Sequence, residues 1–277
     1  MIPNEIIYSI LLFLDPKHLQ LCAQINNNFN QLCQLDSLWR NRIEDKYNIL
    51  FGKKFYYESC KIYYRLVILK RKLSLRYTVQ YLYNLQNLNL CGCELKQLPQ
   101  EIEELINLQI FSPDNNKLTK LPKEIGKLTN LQELYLGYSK LIQLPEEIGK
   151  LINFRELFLH HNELTYLPKE ITKLTNLRTL YVQYNKLTQL PQEIEHLTNL
   201  QELYLHNNQL TELPKEIGKL INLKTLNVGY NNLKKLPIEI AELTKLDVLI
   251  FEKNNIELGS IPHEFHQLII SRSIWTF

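Results

Sequence analysis

Glycine is scarce in this chain of 277 residues, with eight copies, and the five cysteines are odd in number and scattered. Scattered cysteines argue against a disulfide framework and favour reduced thiols in the cytoplasm or nucleus. The formal net charge is only +3, so overall charge gives no support to binding of nucleic acid. We therefore predict a protein that is not secreted and has no nucleic-acid partner.

Long apolar runs are missing as well. No stretch reaches the roughly 18 uninterrupted apolar residues that a membrane-spanning helix needs. Residues 6–14 are apolar enough for the core of a signal peptide, but Glu5 precedes them and no basic segment does. Asp15-Pro16 then stands where a small-residue cleavage site would be needed. We expect neither a signal peptide nor a membrane partner.

What the chain does contain is a repeat of 23 residues. Seven copies keep that length, and an eighth carries two extra residues; they begin at Leu85, Leu108, Leu131, Phe154, Leu177, Leu200, Leu223 and Leu246. Apolar residues recur at repeat positions 1, 4, 6, 11, 14, 18 and 21, and proline stands at position 15. A fixed period in the twenties indicates a solenoid, in which each repeat packs on its neighbours.

Each copy predicts one strand and one short helical segment. Positions 4 to 6 alternate as a strand does, while positions 15 to 21 favour a helical or 3₁₀ segment that begins at the proline. The pattern resembles the leucine-rich repeat, LxxLxLxxNxL, in eight consecutive copies. The resemblance implies an α/β solenoid, a leucine-rich-repeat horseshoe with a parallel sheet on its concave face, over residues 85–268.

Repeat position 9 predicts a structural ladder of side-chain amides. Buried amides there would satisfy backbone N–H and C=O groups of the loops, and the position holds Asn116, Asn162, Asn185, Asn208, Asn231 and Asn254. Cys93 and Ser139 replace asparagine in two copies. Cysteine is tolerated at this position in leucine-rich repeats, whereas the shorter serine should weaken the ladder locally.

Outward positions of the strands and of the turns after them predict a target-binding surface. Equal positions of successive copies form rows, because neighbouring parallel strands lie about 4.8 Å apart. Aromatic residues and histidines fill these rows in the middle copies, as interface hot spots often do. The predicted target-binding residues are Tyr135, Tyr138, Phe158, His160, His161, Tyr181, Tyr184, Tyr204, His206 and Tyr230.

Catalysis and metal binding find little support. Cys91 and Cys93 lack a second pair or a histidine with zinc-ligand spacing. His160 and His206 lie two repeats apart, about 10 Å by strand spacing, which is too far for one zinc ion. No nucleophile with a matched base occurs on this face. We predict no enzyme activity, no metal and no cofactor.

The first 48 residues predict a compact head of short helices. Asp15-Pro16 is a strong helix start, and Ile6, Ile7, Ile10 and Leu11 cover more than half of the preceding helix. The head resembles an F-box at Ile2-Pro3, at Leu14-Asp15-Pro16 and at Leu38-Trp39-Arg40. It departs from that family at Ile2, Asn27 and Phe29, where leucine, a basic residue and tryptophan are more usual.

The F-box resemblance implies a partner, the Skp-type adaptor of cullin–RING ubiquitin ligases. By position, the adaptor-binding residues would be Ile2, Pro3, Ile6, Ile10, Leu14, Pro16, Leu19, Ile25, Leu38 and Trp39. Alternatively, these residues only pack on the end of the solenoid. Both roles are compatible, because different faces of the helices could serve each.

The remaining segments link and close these parts. Residues 49–84 predict a helical connector and a capping half-repeat, with a basic patch at Lys70-Arg71-Lys72 that is a nuclear signal, a site for an acidic partner or a solvated surface. Residues 269–277 predict a final cap strand. The whole chain is then expected to be a substrate-recognition subunit of an SCF-type ligase. The alternative is a non-ligase scaffold that binds proteins, or a viral decoy that sequesters host proteins or the adaptor. A virus-encoded protein would act in the host cytoplasm.

Overall fold

A computed structural model describes residues 56–256 of the chain. The adaptor-binding residues predicted between Ile2 and Trp39, and the predicted cap strand at 269–277, lie outside the described residues. The chain divides into two compact units between Asn84 and Leu85.

Two helices form the described part of the first unit. Helix α1 spans Tyr56–Lys72 and helix α2 spans Val79–Tyr83. Thr78 caps α2, because its hydroxyl accepts a hydrogen bond from the Tyr81 N–H. The basic patch falls in the last turn of α1, where cations interact favourably with the helix dipole. Neither helix has the length and hydropathy needed to cross a lipid bilayer, and nor does any other helix within residues 56–256.

One parallel sheet of eight strands forms one side of the second unit, and the strands follow each other in sequence order. Every strand has three residues, and each of the first seven strands pairs with residues 23 positions further along the chain, as in Leu134 with Leu157. The strands are β1 Asn87–Asn89, β2 Ile110–Ser112, β3 Glu133–Tyr135, β4 Glu156–Phe158, β5 Thr179–Tyr181, β6 Glu202–Tyr204, β7 Thr225–Asn227 and β8 Val248–Ile250. They occupy repeat positions 3 to 5, one residue earlier than the alternation predicted.

Short 3₁₀ segments occupy the second half of each of the first seven repeats. They are Gln100–Glu104, Lys123–Lys127, Glu146–Lys150, Lys169–Lys173, Gln192–His196, Lys215–Lys219 and Ile238–Glu242. The repeat proline is the N-cap residue of every segment and not its first residue, with φ between −61° and −71°. Proline suits this place because it has no N–H to satisfy and its φ is already fixed.

The core fills the space between sheet and 3₁₀ segments. In β3 to β7 the central residue is fully buried while its two neighbours are half-buried. This alternation leaves repeat positions 3 and 5 on the outer face of the sheet. The predicted solenoid with its parallel sheet is confirmed.

The predicted asparagine ladder runs through the core at repeat position 9. In a representative copy, Asn162 Oδ1 accepts from the Leu141 N–H at 2.9 Å, and Nδ2 donates to the carbonyls of Leu136 and Leu159 at 2.8 and 3.0 Å. The same pattern holds the asparagines of the other copies. The Ser139 hydroxyl is buried and has no hydrogen-bond partner among the described residues, so this copy interrupts the ladder.

A second row of asparagines, which the sequence analysis did not single out, joins the repeats at position 23. Nδ2 of each donates to a backbone carbonyl 24 residues earlier, as Asn153 does to Thr129 at 2.7 Å. The row continues with Asn130, Asn176, Asn199 and Asn222. The recurrence of asparagine at the last position of six consecutive copies was the available signal.

Candidate functional site: the concave face of the sheet

Four aromatic rings form a continuous stack across the middle of the sheet. Repeat position 5 of β3 to β6 supplies them, and we call Tyr135, Phe158, Tyr181 and Tyr204 the aromatic ladder. Ring centroids lie 4.4, 4.9 and 4.5 Å apart in sequence order, with interplanar angles of 7°, 12° and 5°. The regular strand spacing produces this stack, because equal positions of neighbouring strands lie about 4.8 Å apart.

Stacking changes what the aromatic ladder presents to a partner. The sequence predicted four outward aromatic residues, and all four do lie on the outer face of the sheet. Each of the four side chains is half-buried, because the flat faces of neighbouring rings cover one another. The rings therefore offer a band of edges and hydroxyl groups, with less free ring surface than four separate aromatic side chains would have.

Exposed aromatic residues lie in the turn that follows each strand of the middle copies, at repeat position 8. Tyr138, Tyr184 and Tyr230 are 55%, 44% and 47% exposed. His161 stacks between Tyr138 and Tyr184, with centroid distances of 4.3 and 4.1 Å. These side chains form a second aromatic row beside the aromatic ladder, which we call the turn row.

The backbone of the turn row lies in the left-handed region. Position 8 has a φ between 51° and 68° in all eight copies, including 52° at Tyr138 and 56° at Tyr184. Glycine and asparagine adopt this conformation readily, and Gly92, Asn115 and Asn207 occupy it in three copies. A bulky residue there costs about 1–2 kcal/mol. His161 and Lys253 have the same left-handed backbone, so the turn imposes this conformation whatever side chain occupies the position.

Histidines lie between the two aromatic rows, at repeat position 7. His160 packs edge-on against Tyr138, and His206 packs in the same way against Tyr184. The Nδ1 atoms of both histidines are buried and have no hydrogen-bond partner among the described residues. Burial, with a smaller contribution from charge on His161, lowers the pKa of both His160 and His206. Burial therefore favours the neutral form of both imidazoles.

Gly137 makes room for His160. A Cβ atom at Gly137 would lie 2.5 Å from Cε1 of the His160 ring, which is closer than non-bonded atoms approach. The lack of a side chain in this copy thus lets the imidazole of the next copy lie against the backbone.

No group of three or more potential metal ligands occurs within residues 56–256.

Glutamates border the aromatic ladder at repeat position 3, and we call Glu133, Glu156 and Glu202 the acid row. The Tyr135 hydroxyl donates to Glu133 at 2.9 Å, and the Tyr181 hydroxyl donates to Glu202 at 3.2 Å. Burial and hydrogen bonding to Glu133 raise the pKa of Tyr135 to about 12. The tyrosines are therefore neutral hydrogen-bond donors at physiological pH.

Glu156 has no such hydroxyl donor in its own strand, because the ladder residue of β4 is Phe158. Burial, followed by repulsion from Glu133 and Glu202, raises the pKa of the Glu156 carboxyl group. Among the described residues, no ion pair within 4.0 Å neutralises the acid row.

Two arginines lie at the edge of this face. Arg155 and Arg178 are exposed and line a shallow polar pocket of about 190 Å³, together with Gln132, Asn153 and Asn176. They make no ion pair with the acid row. The pocket thus marks where the acidic and aromatic part of the face ends.

The structure brings the ten predicted target-binding residues onto one side of the second unit, in three neighbouring rows at positions 5, 7 and 8. Sequence reasoning did not anticipate the ring stacking, the left-handed turn row or the acid row's lack of a counter-charge. Gly92, Asn115 and Asn207 at position 8 were a readable signal for the left-handed turn. Whether the ten residues bind a target stays a prediction.

Family models match both parts of the chain. An F-box-like model matches residues 1–44. Three leucine-rich-repeat models match residues 84–105, 134–211 and 198–256. A comparison with curated proteins finds no match.

Solved structures show the same repeat fold. A leucine-rich-repeat protein of Leptospira interrogans is 36% identical over 72% of this chain, with a TM-score of 0.52. The plant peptide hormone receptor RGFR1, in complex with RGF2, is 31% identical over 62% of this chain, with a TM-score of 0.57. The ectodomain of the receptor kinase GASSHO1/SCHENGEN3 from Arabidopsis thaliana, in complex with CASPARIAN STRIP INTEGRITY FACTOR 2, is 27% identical over 66%, with a TM-score of 0.59.

The matches cover 61%, 29% and 26% of the lengths of those three proteins, so the likeness concerns the repeats. The eight-stranded parallel sheet, the asparagine ladder and the four family models lead to one assignment. The chain is an F-box/leucine-rich-repeat protein, with an F-box-like segment at its N-terminal end followed by a leucine-rich-repeat solenoid.

Proposed function

We propose that the chain is a substrate-recognition subunit of an SCF-type ubiquitin ligase. The observation that carries the proposal is the union of an F-box-like segment at residues 1–44 with a repeat solenoid in one chain. F-box segments typically bind a Skp-type adaptor, and leucine-rich repeats typically bind proteins. Two of the similar structures are plant receptors in complex with a partner, the peptide hormone receptor RGFR1 with RGF2 and the receptor kinase GASSHO1/SCHENGEN3 with CASPARIAN STRIP INTEGRITY FACTOR 2, which supports a binding role for these repeats.

In this proposal the chain contributes binding and orientation, while other subunits of the ligase carry out ubiquitin transfer. Holding a target beside the transferring subunit raises its effective concentration there. The aromatic ladder and the turn row supply the large, rigid side chains that dominate protein interfaces. The target then binds the concave face, and the head binds the adaptor.

The direct test of the ligase assignment is co-purification of the full chain with a co-expressed Skp-type adaptor. Pro3→Ala combined with Leu14→Asp should abolish co-purification, because both positions belong to the predicted adaptor-binding set. The circular dichroism spectrum and melting curve must match those of the unaltered chain. Retention of the adaptor by this folded variant would contradict the predicted adaptor-binding residues. No co-purification of the unaltered chain would favour the alternative, a scaffold without a ligase role.

A further inference from the structure

The acid row and the aromatic ladder run side by side over the same four strands, β3 to β6. Repeat position 3 contributes Glu133, Glu156 and Glu202, and repeat position 5 contributes the four stacked rings. No lysine or arginine occupies positions 3, 5 or 7 in any of the eight repeats. The middle of the concave face therefore carries negative charge beside apolar ring edges.

The negative charge on this face is not neutralised from within the described part of the chain. All three glutamates are half-buried, and none takes part in an ion pair within residues 56–256. The ladder hydroxyls reach only the outer two, Glu133 and Glu202. Glu156 lies between them. Partial burial and repulsion from both neighbours disfavour its charged form and raise the pKa of its carboxyl group. The attraction between these carboxylates and a cation is stronger here than on a fully hydrated surface, because the local dielectric constant is lower.

We infer that the concave face binds an extended segment of the target protein that carries basic side chains on either side of an apolar one. This inference rests on the proposed function and specifies the chemistry of the protein that would be recognised. Charge complementarity selects a basic partner over an acidic one, and the ring edges between the charges select an apolar contact.

The distance between the outer glutamates determines how far apart the basic residues of the bound segment should be. Glu133 and Glu202 lie three strands apart, about 14 Å at 4.8 Å per strand. In an extended segment crossing the strands, residues i and i+4 lie about 13 Å apart at 3.3 Å per residue. Side chains i, i+2 and i+4 point to the same side. The matching segment has basic residues four apart, with an apolar residue midway over Phe158 and Tyr181.

The ends of the aromatic ladder support the same arrangement. Ser112 and Asn227 occupy position 5 on either side of it, so the stack ends at Tyr135 and Tyr204. Each terminal ring has an outer face on which no described ring is stacked, and a lysine or arginine can pack there by a cation–π contact. Both terminal rings belong to strands that also carry an acid-row glutamate, Glu133 or Glu202.

The experiment measures binding of the full chain to labelled peptides by fluorescence anisotropy. The probe has the order Gly-Ser-Lys-Ser-Leu-Ser-Lys-Ser-Gly, and the comparison peptide has glutamate in place of both lysines. The lysine peptide should bind at least tenfold more tightly, and its Kd should rise with salt because screening weakens half-exposed charges. Equal binding of the two peptides, or no measurable binding of the lysine peptide, would overturn the inference.

A matched pair of variants separates the surface from overall charge. Glu133→Gln, Glu156→Gln and Glu202→Gln together should weaken binding of the lysine peptide at least tenfold. The control replaces three exposed glutamates outside the sheet, Glu146→Gln, Glu193→Gln and Glu212→Gln, which removes the same charge and should change the Kd less than twofold. An equal loss in both variants would show that only net charge matters, and would contradict the inference.

Failure of this inference is distinguishable from failure of the proposed function. Adaptor co-purification depends on the head and does not involve the acid row. If the adaptor binds while the chain shows no preference for the lysine peptide, the ligase proposal stands and the partner chemistry is wrong. If the chain prefers the lysine peptide and the adaptor does not bind, the partner chemistry stands and the ligase proposal is wrong.

Discussion

The Tyr135 hydroxyl donates a hydrogen bond to Glu133 Oε2 across 2.9 Å, and both residues belong to the same three-residue strand. They lie two residues apart, so they share one face of the sheet. This bond ties the aromatic ladder to the acid row. The two rows therefore form one surface, and changes in either should affect the same partner.

Removal of the ladder tyrosines should abolish target capture. Replacing Tyr135, Tyr181 and Tyr204 with alanine removes every stack of the ladder and the hydroxyls that contact the acid row. Hot-spot aromatics each contribute about 2 kcal/mol or more, so the loss of captured target should exceed tenfold. Quantitative mass spectrometry after affinity purification measures it. Adaptor binding should be unchanged.

Tyr166 provides the control for that variant. It is exposed, lies at repeat position 13 away from the sheet, and bonds to Gln143. Tyr166→Ala should leave target capture intact. Undiminished capture by the triple variant would instead place the target site elsewhere, on the outer side of the repeats or on the terminal copies.

Filling the gap in the asparagine ladder should stabilise the solenoid. Ser139 leaves its buried hydroxyl without a partner, whereas asparagine at this position in other copies makes at least three hydrogen bonds. Ser139→Asn should raise the free energy of unfolding by about 1–2 kcal/mol, since each net hydrogen bond contributes about 1 kcal/mol. Urea denaturation followed by circular dichroism measures the change.

The reverse substitution two copies later is the matched control. Asn185→Ser should lower the free energy of unfolding by about 2–3 kcal/mol, because it leaves buried backbone groups unpaired. If Ser139→Asn destabilised the fold instead, the serine copy would have a different backbone requirement, and the ladder account of that repeat would be wrong.

The architecture could be predicted from the sequence because eight copies of the repeat carry the same pattern of apolar residues, asparagine and proline. Leu134 and Leu157 recur with the period of the chain, and a residue 23 positions ahead must then be a strand neighbour. Asn162 is buried and bonded as the pattern indicates. Proline's fixed φ likewise places the start of each 3₁₀ segment to within one residue.

The positions of the side-chain rings and carboxyl groups could not be predicted from the sequence. Whether Phe158 and Tyr181 stack or spread apart depends on rotamers, which the repeat period does not determine. The left-handed backbone at Tyr138 goes against residue preference, so local propensity misleads there. The raised pKa of Glu156 depends on its burial and on Glu133 and Glu202 in two other strands, so it could be found only from the three-dimensional structure.

A methyl group at Gly137 should displace His160. The added Cβ of Gly137→Ala would lie 2.5 Å from the imidazole, so the ring must swing away from the backbone and become more hydrated. The pKa of His160, lowered mainly by burial, should then rise toward its ordinary value. Proton NMR titration of the imidazole measures it.

Gly229 occupies the same repeat position as Gly137, one copy beyond His206, and gives the control. A Cβ there would meet its nearest atoms at 3.4 Å, an ordinary contact. Gly229→Ala should leave the pKa of His160 unchanged. An unchanged pKa in Gly137→Ala as well would mean that the glycine does not determine where the imidazole packs.

Acidification should weaken binding of the lysine peptide. The pKa of Glu156 is raised by burial and by its acidic neighbours, so its charge is present above the raised pKa and is lost as pH falls through it, earlier than for an ordinary glutamate. His160 and His206, whose pKa values are lowered mainly by burial, gain positive charge at a lower pH than an ordinary histidine does. Both changes disfavour a basic partner.

The measurement is the Kd of the lysine peptide between pH 7.5 and pH 5, in the native chain and in Glu156→Gln. Affinity should fall with pH in the native chain and should fall less in the variant, which has no carboxyl group to protonate at that position. Affinity that rises on acidification would show that the acid row does not contact the basic side chains.

In the proposed function, one chain joins an adaptor to a target through separate surfaces. In a sequential purification, the adaptor is the bait, and the target that elutes with it through the full chain is quantified. We expect the target to be recovered with the native chain. We expect loss of both chain and target for Pro3→Ala with Leu14→Asp, and loss of the target alone for the ladder triple variant. Recovery of the target with the ladder variant, or adaptor binding by the head variant, would show that the two surfaces are not the ones proposed.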